Sequence, residues 1–157
     1  SNLSEFVTQS SFHRILEDSA YLKGSKLVSL KEDNKIKKVV MCSGKIYYDL
    51  IEQREKRKND SVVFLRIEQL YPFPVKQVGK QLKRYKNAKF FWCQEEPKNM
   101  GAWNTARHYI DRTLDIIQVK VEKVKYVGRN AAASPATGNL NKHLAEQKEI
   151  LEKVINN

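Results

Sequence analysis

The sequence has 157 residues, enough for one domain with a substantial core. Apolar residues make up 41% and charged residues 30%, which favours a globular fold over a disordered tail. No run of about 18 uncharged apolar residues occurs, so we expect no transmembrane helix. The first residues, SNLSEFVTQSSF, lack the basic start and apolar stretch of a secretory signal.

The formal net charge of +11 raises the alternative of a basic nucleic-acid-binding module. Such a module needs aromatic residues interleaved with Lys or Arg on one exposed face. Here the aromatic residues Phe64, Phe90, Phe91 and Trp92 fall inside apolar runs that predict core strands. The positive charge is therefore more typical of a solvated surface.

Residues 1–35 are predicted to be a linker or arm, followed by the domain proper at residues 36–157. The arm is polar, but Phe6, Phe12, Ile15 and Leu16 need a surface on which to pack. Chain order then gives four apolar runs that predict strands, at residues 38–43, 62–67, 89–93 and 124–127.

Segments of helical period follow each strand, at residues 45–58, 75–85, 103–117 and 140–155. We expect Arg54 on the outer face of the first helix, and Leu140 and Leu144 on the core-facing stripe of the last. Alternating strands and helices predict an α/β three-layer sandwich with a mostly parallel sheet.

Polar residues stand at the carboxyl ends of three of the predicted strands: Ser43-Gly44, Glu68-Gln69 and Gln94-Glu95-Glu96. The carboxyl ends of parallel strands meet at one edge of a sheet, where ligands collect. Glu95 and Glu96 are adjacent, so on a strand they point to opposite faces and converge poorly for acid–base catalysis. We predict no catalytic pair here.

Metal and thiol chemistry find little support in the sequence. Cys42 and Cys93, the two cysteines, lie in separate apolar runs without a CxxC pair, which predicts two buried free thiols and no zinc site. His13, His108 and His143 form no recognisable pattern with a nucleophile and an acid.

Small residues dominate the segment YVGRNAAASPATG, residues 126–138. Small side chains allow another surface to approach closely, which favours a subunit or domain contact around Ala132 and Ala133. A simple loop that leads into the last helix is the equally weighted alternative.

Four stretches resemble one family. VVMCSGKIYYDL, VVFLRIEQLYPFP, FWCQEEPKNMGAW and YVGRNAAASPATGNLNKHLAEQKEIL are similar, in this order, to the C-terminal domain of the thiamine-dependent component of 2-oxoglutarate dehydrogenase. The resemblance runs from about Phe6 to the end and implies the third domain of a transketolase-like enzyme. That enzyme decarboxylates 2-oxoglutarate and passes the succinyl group to a lipoyl arm, in the tricarboxylic acid cycle.

The resemblance implies that thiamine diphosphate and Mg²⁺ bind to the preceding domains, so this chain alone is expected to be inactive. Glu95 and Glu96 then face the rest of the subunit or its dimer mate. The implied partners are the preceding domains, a second subunit and the dihydrolipoyl succinyltransferase component. The implied location is the bacterial cytoplasm or the mitochondrial matrix.

The resemblance also implies an effector site for AMP or acetyl-coenzyme A at the junction of this domain with the others. By position, its contacts fall on the following residues, of which Gln69 keeps the residue type expected there: Ser11, Arg14, Gln69, Lys76 and Gln77.

Overall fold

A computed structural model describes residues 11–119, 122–135 and 138–156. Two short 3₁₀ turns, Ser19–Tyr21 and Asp33–Lys35, lie in the arm. The strands are β1 (Ile15–Leu16), β2 (Lys38–Cys42), β3 (Val62–Ile67), β4 (Lys89–Pro97) and β5 (Lys125–Arg129). The helices are α1 (Ile46–Arg57), α2 (Val75–Leu82), α3 (Trp103–Ile116) and α4 (Leu140–Asn156).

The strands form one sheet in the order β1-β3-β2-β4-β5 within the described part of the chain. Strands β2, β3, β4 and β5 run parallel to one another, whereas β1 runs antiparallel to β3. The central register sets Val40 beside Phe64 on one side and Phe91 on the other. This mostly parallel sheet confirms the predicted α/β fold class.

Two apolar cores cover the two faces of the sheet, because successive strand residues point in opposite directions. Val39, Met41 and Trp92 belong to the core beneath α2 and α3. Val40 and Phe64 belong to the core beneath α1 and α4. Both β2 and β3 are buried along their whole length, as strands covered on two faces should be.

Strand β4 extends to Pro97, four residues beyond the predicted end at Cys93. Its register with β5 shifts between Cys93 and Pro97, and Pro97 pairs with Arg129. Gln94, Glu95 and Glu96 therefore lie within the strand rather than after it. The prediction ended early because these polar residues interrupt the apolar run, whereas the β5 partner continues the pairing.

The arm packs against the sheet from Ile15 onward, and its Asp18 is buried against Arg54 of α1. The prediction of an outward-facing Arg54 was wrong, because the buried carboxylate that pairs with it comes from 36 positions earlier. Phe12 stays exposed, and Phe6 lies outside the described residues. The domain boundary at residue 35 stays a prediction.

Helix α4 is buried only in its second half. Ile150, Val154 and Ile155 pack in the core, whereas Leu140 and Leu144 are 70% and 56% exposed. The expectation that Leu144 faces the core was wrong, since the first turns of α4 extend past the layer that would cover them. No helix in the described ranges is long and apolar enough to cross a membrane.

Candidate functional site at the carboxyl edge of the sheet

The carboxyl edge, as we call it, is the edge at which β2, β3, β4 and β5 end. The arm reaches the same edge, because β1 runs antiparallel to β3. The amides of Glu68 and Gln69 donate to the carbonyl of Arg14 at 2.9 and 3.0 Å. The geometry therefore brings four strand ends, the arm and the segment that follows β5 to one side of the molecule.

Gln94 organises the connection between β4 and α3. Its buried side-chain oxygen accepts from Trp92 Nε1 at 3.0 Å and from the amide of Trp103, the first residue of α3, at 2.9 Å. Its Nε2 donates to the carbonyls of Met100 at 2.7 Å and Pro97 at 3.2 Å. One amide side chain thus satisfies buried groups at the start of a helix that has no other side-chain cap.

Two glycines allow this connection to pack closely against β5. Gly101 has φ +64°, and a Cβ atom there would lie 3.0 Å from Gln94 Nε2. A Cβ atom at Gly128 would lie 2.8 Å from the carbonyl oxygen of Gln94 and would also overlap the Tyr126 ring. The Tyr126 hydroxyl donates to the carbonyl of Arg129 at 2.8 Å, and burial raises its pKa to about 12.

The small-residue loop, of which the structure describes residues 130–135, is held by Asn99. Asn99 Nδ2 donates to the carbonyl of Ala132 at 2.9 Å, and the Ala132 amide donates to Asn99 Oδ1 at 3.0 Å. Ala132 and Ala133 remain exposed despite this clamp. Between the loop and α4 lies a groove of about 660 Å³ whose lining includes Arg129, Lys142 and Glu146.

Arg129 joins β5 to α4 at the base of this groove. Its guanidinium lies 3.2 Å from a Glu146 carboxylate oxygen, and NH2 lies 2.8 Å from His143 Nδ1. His143 is thus a contact between a strand and a helix, in agreement with a structural role. The groove is therefore lined by charged side chains of α4 and by small residues of the loop.

Glu95 and Glu96 diverge, as their adjacency predicted. Glu95 pairs with Lys45 at the start of α1 at 3.2 Å. Glu96 is exposed, and its Cβ lies toward Gly101 on the other face of the strand. The two carboxylates therefore do not converge on a common substrate.

The predicted effector residues are brought together only in part. The backbones of Arg14 and Gln69 are hydrogen-bonded neighbours, while Gln69 Nε2 donates to the carbonyl of Pro72 at 2.5 Å. Ser11, Lys76 and Gln77 are exposed, the last two on the first turn of α2.

The two carboxylates in sequence nearest to Arg14 and to the end of β3, Glu17 and Glu68, each have a cationic partner. Glu17 pairs with Arg84 at 3.1 Å, and Glu68 lies 2.7 Å from Arg66. Glu17, directly after β1, and Glu68, directly after β3, are therefore both engaged in ion pairs.

Sequence reasoning missed Gln94 and Asn99 as organising residues. One sequence feature could have identified Gln94: it is an amide residue directly after an apolar strand, where such a side chain often has a local structural partner. Asn99 had no such feature, because its partner Ala132 lies 33 positions away and both residues are exposed. Among the described residues, no three His, Cys, Asp or Glu side chains are grouped so as to hold a metal ion.

Comparison with known proteins gives a consistent result. Residues 1–155 match the model of the family described as 2-oxoglutarate dehydrogenase C-terminal. The chain is 51% identical over 157 residues to the 2-oxoglutarate dehydrogenase E1 component of Brucella anthropi, covering all of this chain and 16% of that protein. It is 52% identical over 155 residues to the same component of Brucella abortus strain S19, covering 99% of this chain and 15% of that protein.

The chain thus spans about one sixth of the length of the relatives it matches. The family match extends over nearly the whole sequence, and the four stretches that carry the resemblance form the carboxyl edge and the strands beneath it. This chain belongs to the 2-oxoglutarate dehydrogenase C-terminal family.

Proposed function

We propose that this chain is the C-terminal assembly domain of a 2-oxoglutarate dehydrogenase E1 component. The identity of about 51% along the whole chain to proteins of that name supports the proposal. The complete enzyme decarboxylates 2-oxoglutarate and transfers the succinyl group to the lipoyl arm of a dihydrolipoyl succinyltransferase. It acts in the tricarboxylic acid cycle, in a bacterial cytoplasm or a mitochondrial matrix.

The role of the domain is to dock rather than to catalyse. The observation that supports this role is the pair of hydrogen bonds by which Asn99 holds the exposed Ala132 in a fixed position. A fixed, small-residue surface lets another backbone approach closely. We assign Ala132, Ala133, Glu95 and Glu96 to the contact with the preceding domains or with a second subunit of a homodimer.

Thiamine diphosphate supplies the electron sink for decarboxylation when it is bound to the complete enzyme. The described residues do not fit its Mg²⁺, because no three His, Cys, Asp or Glu side chains among them are grouped so as to hold a metal ion. The carboxylates that line the groove, Glu146 and Glu149, are engaged by Arg129 and Lys153. We therefore derive no catalytic step from this chain.

An effector site on the arm side of the carboxyl edge is the second part of the proposal. Arg14 is exposed and has its backbone fixed beside Gln69, with Lys76 exposed on the first turn of α2. Two cations of this kind can bind the phosphates of AMP or acetyl-coenzyme A, with Arg the better bidentate partner. Ser11, Gln69 and Gln77 would then contact neutral polar groups of the ligand.

The experiment compares the full-length protein with this chain alone. Full-length protein supplied with thiamine diphosphate and Mg²⁺ should oxidise 2-oxoglutarate with an artificial electron acceptor. The isolated chain should show neither this activity nor calorimetric binding of thiamine diphosphate. Micromolar binding by the isolated chain would contradict the docking role, and an inactive full-length protein would contradict the assigned enzyme.

A further inference from the structure

Helix α4 carries an apolar stripe that α1 covers only in part. The stripe consists of Leu140, Leu144 and Leu151, and the polar Gln147 lies between the last two on the same face of the helix. Gln147 Nε2 donates to Asp49 of α1 at 3.0 Å, and Leu151 packs against the core beneath α1. The first half of the same stripe is exposed.

The exposure follows from the alignment of the two helices. Gln147 lies beside Asp49 and Glu152 lies near Arg57, so α1 and α4 run in the same direction. At about 1.5 Å per residue, Leu144 is level with the start of α1 and Leu140 projects roughly one turn beyond it. Nothing in the described residues lies above α1 to cover this turn.

Exposed large apolar side chains concentrate on the same side of the molecule. Phe12 precedes β1, Tyr48 lies in the first turn of α1, and Tyr71 follows β3, so all three lie at the carboxyl edge with Leu140 and Leu144. Tyr21, Leu22 and Ile116 lie toward the opposite edge. Clusters of exposed apolar residues mark interaction surfaces, whereas isolated ones do not.

The direction of the arm identifies the occupant. Arg14 meets the end of β3, so the polypeptide before β1 arrives at the carboxyl edge. The relatives are about six times longer than this chain, and the matched family is a C-terminal one, so most of the complete protein precedes it. That polypeptide reaches, from the β1 side of the sheet, the same carboxyl edge at which the leucine stripe is uncovered.

We propose that Leu140 and Leu144 form a docking stripe for the domains that precede this one in the same polypeptide. The inference rests on the proposed function for the existence of those domains. It assigns a second contact surface to this domain, on the face of α4 whose second half packs against α1. This surface is separate from the groove beside the small-residue loop. In the complete protein these two leucines are buried against the preceding domains. The start of α4 thereby holds this domain to the rest of its own subunit.

The experiment uses the full-length protein and hydrogen exchange of the amides of residues 143–148. The variant Leu140→Ser/Leu144→Ser should exchange at least about tenfold faster there than wild type and release this domain to protease sooner. The matched control is Leu22→Ser/Ile116→Ser, which changes equally exposed residues at the opposite edge. The control should leave both readouts within about twofold of wild type.

Two results would overturn the proposal. Equal exchange in the wild type and the leucine variant would mean that nothing covers the stripe. Exchange in the wild type that accelerates when subunits separate on dilution would assign the stripe to a second copy. Activity with 2-oxoglutarate is measured on the same samples, so a wrong enzyme assignment appears as an inactive wild type, independently of the exchange result.

Discussion

Asp18 of the arm and Arg54 of α1 form a buried, two-pronged ion pair, with NH1 and NH2 2.5 and 2.9 Å from the two carboxylate oxygens. Both side chains are inaccessible to solvent. Asp18 also accepts from the amide of Phe64 at 2.8 Å, and Arg54 NH1 donates to the carbonyl of Val62 at 3.2 Å. This pair joins the arm, the first helix and the strand β3 at one point.

We expect Asp18→Asn to destabilise the domain by about 3–5 kcal/mol, because it leaves a buried guanidinium without its counter-ion. Denaturant unfolding followed by fluorescence measures the loss. The control is Asp60→Asn, which removes the partner of Lys31 in a pair that is more than 40% exposed. That change should cost less than about 1 kcal/mol, and equal losses in the two variants would contradict the structural role of the buried pair.

Lys38 should make stability depend on pH in the alkaline range. Its ammonium is buried at the start of β2 and donates to the carbonyl of Val154 at 2.8 Å. Burial, with a smaller contribution from Lys89, lowers the pKa of Lys38 to about 8. The unfolded chain therefore binds more protons than the folded one between pH 8 and the ordinary lysine pKa near 10.5.

It follows that the proton linkage of this residue opposes folding most below about pH 8, and that this penalty fades as pH rises toward 10.5. Lys38→Met removes the proton linkage, so the stability of the variant relative to wild type should improve as pH falls from 10.5 to 8. Denaturant midpoints across this range provide the measurement. Lys37→Met, the same change at an exposed neighbour, controls for the loss of a positive charge.

Cys42 and Cys93 should remain unmodified thiols while the domain is folded. They are paired in register on adjacent parallel strands and are fully buried. Burial raises the pKa of Cys42 to about 12 and that of Cys93 well above its ordinary value, which suppresses the reactive thiolate. Thiol titration without reductant should count two after denaturation and react slowly before it, and a count of zero would refute free thiols.

Gly128→Ala should destabilise the domain by about 1–3 kcal/mol, because the new methyl group overlaps Tyr126 and the carbonyl of Gln94. Thermal unfolding measures the change. Gly138→Ala is the matched control, since its added Cβ meets no heavy atom within 4 Å among the described residues. A tolerated Gly128→Ala would show that the β4–β5 connection relaxes easily.

Ala132→Trp in the full-length protein should weaken assembly more than it weakens folding of this domain, because the side chain is exposed here. Ala133→Trp is the companion variant. Subunit mass by light scattering and the midpoint of thermal unfolding separate the two effects. Equal loss in both measurements would mean that the small-residue loop is internal packing.

The effector proposal predicts that AMP or acetyl-coenzyme A activates the full-length protein through Arg14 and Lys76. Arg14→Ala and Lys76→Ala should each raise the ligand concentration needed for half activation, since each removes a cation from the phosphate site. Lys80→Ala, at another exposed lysine of α2, serves as the control. Activation that is unchanged in both variants would exclude this site.

The sequence by itself determined the alternation of strands and helices, and with it the mostly parallel sheet. Near-continuous apolar runs such as residues 62–67 predict strands covered on both faces, and local periodicity predicts the helices between them. It also determined that Glu95 and Glu96 diverge, because side chains alternate along a strand. These features depend on residues that are neighbours in the chain, so they can be predicted from the sequence alone.

Only the tertiary structure decided which polar residues are buried and which apolar residues are not. Arg54 has the pattern of a surface residue, and only the folded arm supplies Asp18 as its partner. Leu144 has the pattern of a core residue, and only the length of α4 relative to α1 leaves it exposed. Whether a residue is buried depends on the segments that pack against it. Those segments are distant in sequence, so the residues around the position do not indicate its burial.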